Sequence, residues 1–387
     1  MKILIINPRL IWRGAEKLGV NLAVALKKRG HSVSYLTLFA ESKGVSEGIK
    51  KINLIVPDKD IQKILRLNDF FFIFFGFWVL LFLVLQNIKK FQIINVHNVP
   101  SMWIGAILGK IYSKPVVWTV HDVPKYISWK EKTSFSEYLL WLVASSFIDR
   151  FLIRNIDFII VQCRKVADEV EVRYNRESHI ILPAVNDIFL KEIVGKLSLE
   201  SKFSGKFVLL SASHMHFRKN QKTIVKAFLK FSKKVKDSVL VLAGDGPDKA
   251  KLINLVNEVS LEKRVFFIGI LSEKRLAQVY RLSNLLLLAS VEEPWGLTPF
   301  EALASKTPVI VSDLAGACET IRKNGIGYFS RPFVNNFYNR MIEVYRDYNT
   351  AKRIAMEGKH WVEINMTSRR YAKEYETIFN SLINNKK

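Results

Sequence analysis

The sequence predicts an α/β protein made of two successive doubly wound parallel-sheet units. Three observations carry this expectation. The chain has 387 residues, longer than one hydrophobic core usually supports, so two domains are expected. Short continuous apolar runs, the pattern of strands buried on both faces, alternate with stretches of helical periodicity. That rhythm breaks once, over residues 186–205, and then resumes.

The first series opens with "KILIIN", too short an apolar run for a secretory signal and read instead as a buried strand. "AEKLGVNLAVALKKRGH" has apolar residues at helical spacing, and Gly30 is placed to stop that helix. "SVSYLTL", "FQIINVH", "PVVWTVH", "DFIIVQC" and "HIILPA" follow as strands, with helix-like stretches between them. "NDIFLKEIVGKLSLESKFSG" looks like a linker. The second series comprises "KFVLLSAS", "SVLVLAG", "RVFFIGI", "NLLLLAS" and "TPVIVS", separated by helices such as "NQKTIVKAFLKFSKKV" and "SEKRLAQVYRLS". From about residue 335 the chain reads as helical. The expected division is a unit over residues 1–185, a linker over 186–205, a unit over 206–362, and a helix over 363–387 packing back on the first unit.

The formal net charge of +24 is unusual for a soluble protein and implies a polyanionic partner: nucleic acid, anionic lipid or a phosphorylated substrate. Nucleic acid fits poorly. No reading motif is present, and the aromatic residues lie within apolar runs instead of alternating with Lys or Arg. Cys163 and Cys318 are expected to be small buried hydrophobes of a reducing compartment. Residues 70–86, "FFFIFFGFWVLLFLVLQ", carry no charge and lie between Lys63, Arg66 and Lys89, Lys90. Where the fold needs a crossover helix, the simplest reading is a buried one. Apolar residues on every side favour partial immersion in a membrane interface, because a helix that only covers a sheet keeps a polar stripe. A full span would break the connectivity of the sheet. The expected setting is the cytoplasmic face of a membrane, with an anionic membrane surface as partner.

The richest stretch is "SVEEPWGLTPFEALASKTPVIVSD", residues 290–313. Glu293 follows a strand directly, and Pro294 and Gly296 keep the next residues out of a helix. "TPFE" has the form of a capping box: Thr298 as N-cap, Pro299 at the first helical position and Glu301 at the third. On that reading Glu301 only satisfies a backbone N–H, which is worth about 1 kcal/mol. The functional reading is that amides at a helix start face an anion while a carboxylate on either side accepts hydrogen bonds from sugar hydroxyls. Spacing alone leaves both readings open.

Glu293 to Glu301 matches the E-x7-E motif of retaining GT-B glycosyltransferases, and its context resembles glycosyltransferase family 4. "RGAEKLGVNLAVALKKRGHSV", "VVWTVHD", "VLVLAGDGP", "VFFIGIL" and "TPVIVSDLAGACETI" resemble that family's other landmarks, so the likeness spans most of the chain. The resemblance implies a GT-B fold of two facing Rossmann-like domains with a cleft between them. It implies a nucleotide-diphosphate sugar of UDP or GDP type as donor, and transfer with retention of configuration to a glycan or glycolipid acceptor. Glu301 would hold the ribose hydroxyls, Glu293 a donor-sugar hydroxyl, and the backbone around Gly296, Leu297 and Thr298 would face phosphate or sugar.

The family usually places an Arg and a Lys after the first strand of the second domain to neutralise the leaving diphosphate. In "SHMHFRKNQKTIVKAF" Lys219 takes the Lys position, His214 stands where Arg is expected, and Arg218 is the available substitute. Of the family's paired glycines in the first loop only Gly14 is present, preceded by Arg13, a further candidate phosphate contact. His121, at the end of "PVVWTV", is expected near the donor sugar or acceptor hydroxyl; His97 is a weaker candidate by the same logic. Both read equally as packed structural residues. "PDKD" contains a D-x-D tripeptide, but without supporting context Asp58 and Asp60 read as a solvated loop, and neither a metal nor another cofactor is expected to be required. The alternatives are a GT-B sugar-nucleotide epimerase or phosphorylase, and a basic nucleic-acid- or membrane-binding protein without catalysis.

Overall fold

The computed structural model describes residues 1–10, 14–40, 49–65, 69–98, 100–123, 148–191 and 199–386. The chain divides into two units, Met1–Pro183 with Ser368–Lys387, and Ala184–Thr367. The stretch read as a linker lies within the second of these units.

The first unit is built on a parallel sheet of β1 (Lys2–Ile6), β3 (Ser32–Leu36), β5 (Asn53–Ile55), β6 (Ile93–His97), β7 (Val116–Thr119), β8 (Phe158–Val161) and β9 (His179–Ile180). Their order is β5-β3-β1-β6-β7-β8-β9, and the two-residue strands β2 (Arg9–Leu10) and β4 (Phe39–Ala40) pair beside it. β6 is buried along its whole length, its polar residues Asn95 and His97 included, as befits a strand covered on both faces. The order reverses between β1 and β6, which makes this the topological switch point of the sheet.

Two helices of this unit bear on function. Helix Ser368–Asn385 buries Tyr371, Ala372, Tyr375 and Phe379, one face at helical spacing. Its Glu376 receives hydrogen bonds from Arg29 (Nε to Oε2, 2.7 Å) and pairs with His31 at 2.9 Å. Helix Asp69–Asn87 buries Gly76, Leu80 and Val84, and a side chain at Gly76 would collide with Leu38. On the other side Phe75, Trp78, Phe82 and Leu85 form a stripe between 41% and 60% exposed. One face is therefore buried, beside Leu38 and Leu65, and the opposite face is apolar and exposed. The side chains of residues 70–74 lie outside the described residues. Among the described residues no helix is long and apolar enough to cross a membrane.

The second unit has a parallel sheet of β10 (Phe207–Ala212), β11 (Ser238–Ala243), β12 (Val265–Gly269), β13 (Leu285–Leu288), β14 (Val309–Ser312) and β15 (Tyr328–Ser330), in the order β12-β11-β10-β13-β14-β15. Here the switch point lies between β10 and β13. The edge strand β15 was not anticipated: it is short and carries none of the apolar run of its neighbours. After β11 the backbone of "GDGP" lies against that of residues 213–215. A Cβ on Gly244 would sit 2.1 Å from Ser213 O and one on Gly246 2.3 Å from Met215 O, so only glycine permits the approach.

Residues 187–190 are a short helix, capped by the Asn186 side chain, which accepts from Ile188 N at 3.1 Å. Asn186 also donates to Glu273 (2.9 Å), and Phe189 is fully buried. Of the stretch read as a linker, residues 186–191 therefore pack with the second unit through the buried Phe189, part of the short apolar run Ile188–Leu190. Residues 192–198 lie outside the described residues.

Candidate functional site

In an open parallel sheet the loops leaving the two strands at the switch point diverge and leave a crevice at their carboxyl ends. In the second unit these are the loops after β10 and β13. The first carries Arg218 and Lys219, the second Glu292 and Glu293. Their backbones join where Val291 N donates to Arg218 O at 2.9 Å. Lys219 Nζ donates to Glu293 Oε2 in a close ion pair, and Ser290 Oγ donates to the same oxygen at 3.3 Å. Arg218 lies 3.8 Å from Glu292. The structure therefore brings Lys219 and Glu293, 74 positions apart, into direct contact at the switch point.

The loop after β10 turns through Asn220, whose φ of 52° is left-handed. Its side-chain amide holds the turn by donating to Ala289 O and Pro332 O, each at 3.2 Å. The loop after β13 turns through Gly296 at φ 97°, where a Cβ would press on Leu288 and on Glu293 Cγ. It is pinned from β14's side: Gly316 N donates to Glu293 O (3.1 Å) and Ala317 N to Trp295 O (2.8 Å). Glu293 is thereby fixed through its own backbone. His214, where the family resemblance led to an expectation of Arg, has its carbonyl bonded by Gln221 (3.3 Å) and its ring stacked near His216.

The capping-box reading of "TPFE" is not what forms. The helix runs Thr298–Ala304 with Leu297 as its cap, in αR conformation and with no side-chain cap bond. Phe300 N and Glu301 N both donate to Leu297 O, at 3.0 and 3.1 Å. The helix starts one residue earlier than the box requires, so Glu301 is one place too far along to reach back. Its carboxylate instead accepts a hydrogen bond from Tyr280 OH at 2.9 Å, with both residues buried. Tyr280 and its packing partner Phe189 were missed from the sequence. The available signal was a tyrosine three places after Ala277 on the inward face of a helix, since a buried phenol needs a partner. The amides of Leu297 and Thr298 precede the first intrahelical bond and have no carbonyl partner within the helix. Trp295 stacks on Phe300 (5.1 Å, 9°), and Phe300 meets Trp361 at 6.0 Å.

The remaining predicted residues belong to the first unit. Gly14 is the exposed first residue of helix Gly14–Lys28, with open space where a side chain would be; Arg13 lies outside the described residues. His121 follows β7 and joins a buried polar chain. Gln162 Nε2 donates to His121 Nδ1 (3.2 Å), His121 Nε2 bonds His97 Nδ1 (2.8 Å), and His97 Nε2 donates to Asn95 Oδ1 (2.9 Å). Asn95 Nδ2 donates onward to Val117 O (3.1 Å) and Thr119 Oγ1 (2.9 Å), and the Thr119 hydroxyl meets that of Tyr375 at 3.1 Å. Because Asn95 presents its oxygen, these partners assign the Nε2–H tautomer to both rings. Burial holds His121 down to about 4, and burial together with its neighbour holds His97 well below the ordinary histidine range. Both rings are neutral, and neither nitrogen of His121 is left to take a proton.

Asp58 and Asp60 lie exposed at the start of the short helix Lys59–Ile64, and Asp60 pairs with Lys63 at 3.3 Å. Cys163 and Cys318 are both buried thiols that form no disulfide.

Two α/β units, each built on an open parallel sheet, have the architecture of the GT-B fold class. Comparison with known proteins agrees. The description Glycosyltransferase Family 4 matches residues 12–187, and Glycosyl transferases group 1 matches residues 198–361. The chain belongs to glycosyltransferase family 4 and is a glycosyltransferase. An alpha-monoglucosyldiacylglycerol synthase of Acholeplasma laidlawii is 25% identical, covering 95% of this chain and 94% of the relative. An O-antigen chain mannosyltransferase of Salmonella typhimurium is 24% identical over 65% of each. Among solved structures, Anabaena HepE in complex with UDP and glucose superposes with a TM-score of 0.80 at 19% identity, covering 98% of this chain and all of that one.

Proposed function

We propose that the protein transfers a sugar, with retention of configuration, from a nucleotide-diphosphate sugar to a hydroxyl of a lipid-linked or membrane-borne glycan acceptor. The observation that carries this reading is the Lys219–Glu293 contact at the switch point of the second sheet. A fixed cation beside a fixed carboxylate suits a ligand that is anionic at its diphosphate and hydroxylated at its sugar. Lys219 and Arg218 would stabilise the charge developing on the leaving diphosphate. Glu293 would orient a donor-sugar hydroxyl, Glu301 the ribose, and the amides around Gly296, Leu297 and Thr298 the phosphate.

In a same-face substitution the glycosidic C–O bond to phosphate breaks as the acceptor oxygen bonds to the anomeric carbon. The departing phosphate oxygen takes the acceptor proton, so the protein needs no general base. His121, with both nitrogens engaged by Gln162 and His97, would orient the sugar or acceptor only if a ligand hydroxyl took the place of one of those bonds, and Gly14 leaves its backbone open to a ligand. No metal is required on this reading, and turnover should persist in EDTA.

The acceptor side rests on the exposed Phe75, Trp78, Phe82 and Leu85 stripe beside exposed Lys89 and Lys90, which matches an anionic lipid interface in both apolarity and charge. That the first relative's name is a glucosyldiacylglycerol synthase supports the same choice. A thermal-shift panel of UDP- and GDP-sugars identifies the donor, and NMR of the anomeric proton in the product tests retention. An inverted product would overturn the mechanism; no shift with any nucleotide sugar would overturn the donor class.

A further inference from the structure

Burying a carboxylate is costly unless hydrogen bonds replace its water. Glu301 is only 3% exposed, and the bond from Tyr280 OH to its Oε2, at 2.9 Å, replaces part of that hydration. Tyr280 is itself held from three directions. Its ring meets Phe189 edge-on, with centroids 5.8 Å apart. Its carbonyl accepts from Thr307 Oγ1 at 2.6 Å. Its own helix, Glu273–Leu282, is tied to residue 186 through the Asn186–Glu273 bond. The phenol is thus a rigid donor that fixes one carboxylate oxygen and, with it, the side-chain rotamer of Glu301. Burial, and then the Glu301 charge, push its pKa well up, so it keeps its proton at any physiological pH.

We infer that Tyr280 is a positioning residue: by holding Glu301 Oε2 it aims Oε1 at the vicinal hydroxyls of the donor's ribose, and so sets the preference for ribonucleotides over their deoxy counterparts. This rests on the reading that Glu301 binds the ribose. A carboxylate free to rotate would satisfy itself elsewhere, whereas one locked oxygen leaves the other as an acceptor for two adjacent O–H groups. Sites built to pair a substrate hydroxyl discriminate strongly against analogues lacking it, because the site's own polar group is then left unpaired.

The test compares Kd for UDP and GDP with Kd for their 2′-deoxy and 2′,3′-dideoxy forms, using the full chain. Wild type should prefer the ribose form by about tenfold or more, and Tyr280→Phe should reduce that preference to about threefold or less. KM for the donor should rise by a larger factor than kcat falls. Glu301→Asp keeps the charge but withdraws the carboxylate by one methylene from the phenol, and it should lose the preference similarly. In a Glu301→Gln background Tyr280→Phe should add no further loss. A merely structural tyrosine would lower the melting temperature of Tyr280→Phe and leave the preference intact, which would overturn the inference. So would a full wild-type preference in Glu301→Asp, which covers the case of Tyr280→Phe failing to fold. If wild type itself showed no ribose preference, the assignment of Glu301 would fall first and this inference with it.

Discussion

Lys219 and Glu293 lie in loops that leave different strands, and their contact is what makes this a site. Each is mostly buried, so removing one partner leaves the other charge under-solvated, which costs far more than the net worth of the pair. Lys219→Met is expected to weaken nucleoside-diphosphate binding by roughly ten- to a hundredfold, the scale of a hydrogen bond to a charged group, and isothermal titration measures it. Glu293→Ala should instead reduce turnover more than it reduces melting temperature, since its backbone stays pinned by Gly316. Gly296 sits at a φ of 97° with neighbours 3.2 and 3.3 Å from where a Cβ would be. Gly296→Ala should therefore cost about 1–3 kcal/mol in a urea titration and displace Glu293 with it.

Individual elements show why some of this was visible in the sequence and some was not. The strands were legible because fully buried parallel strands are continuous apolar runs, and the motif loop because Pro294 and Gly296 exclude helix. The helix start was misread by one residue, since Thr298, Pro299 and Glu301 satisfy the composition of a cap that the backbone at Leu297 does not adopt. His97 reads from the sequence only as a weaker site candidate than His121, and Asn95 carries no signal of its own. Only the pairing of β6 with β7, which sets His97 opposite Thr119, joins them to His121. For helix Asp69–Asn87 the sequence gives apolarity all round, and packing decides which face is left over. Phe75→Ser, Trp78→Ser and Phe82→Ser together should abolish flotation with anionic vesicles while leaving the melting temperature within a few degrees. Unchanged flotation would reject the membrane role of the stripe.

On the scale of the whole molecule, two separate cores give two linked but distinct stability responses. A ligand that binds only the native state adds about 2.7 kcal/mol at a hundredfold excess over Kd, and a donor nucleotide should act on the transition of Ala184–Thr367. Acid should act on the other unit. His97 and His121 are neutral when folded, whereas the unfolded imidazole titrates near its ordinary value. Between about pH 6.5 and pH 4 the unfolded chain therefore binds protons that the native state refuses, and stability falls as pH drops. The slope is at most about 1.4 kcal/mol per pH unit for each ring. Urea midpoints at pH 7 and pH 5 should differ less in His121→Gln than in wild type.

The sequence by itself determined the class of fold, because burial periodicity and glycine or proline constraints act over a few neighbouring positions, and it pointed to the family through the resemblance of its motifs. The tertiary structure alone decided which partner each polar group has: Glu293 with Lys219, Glu301 with Tyr280, His121 with His97. Those pairings depend on strand order and on where a helix begins. Buried polar groups must find a partner, but local sequence does not say which distant residue the fold will bring to them.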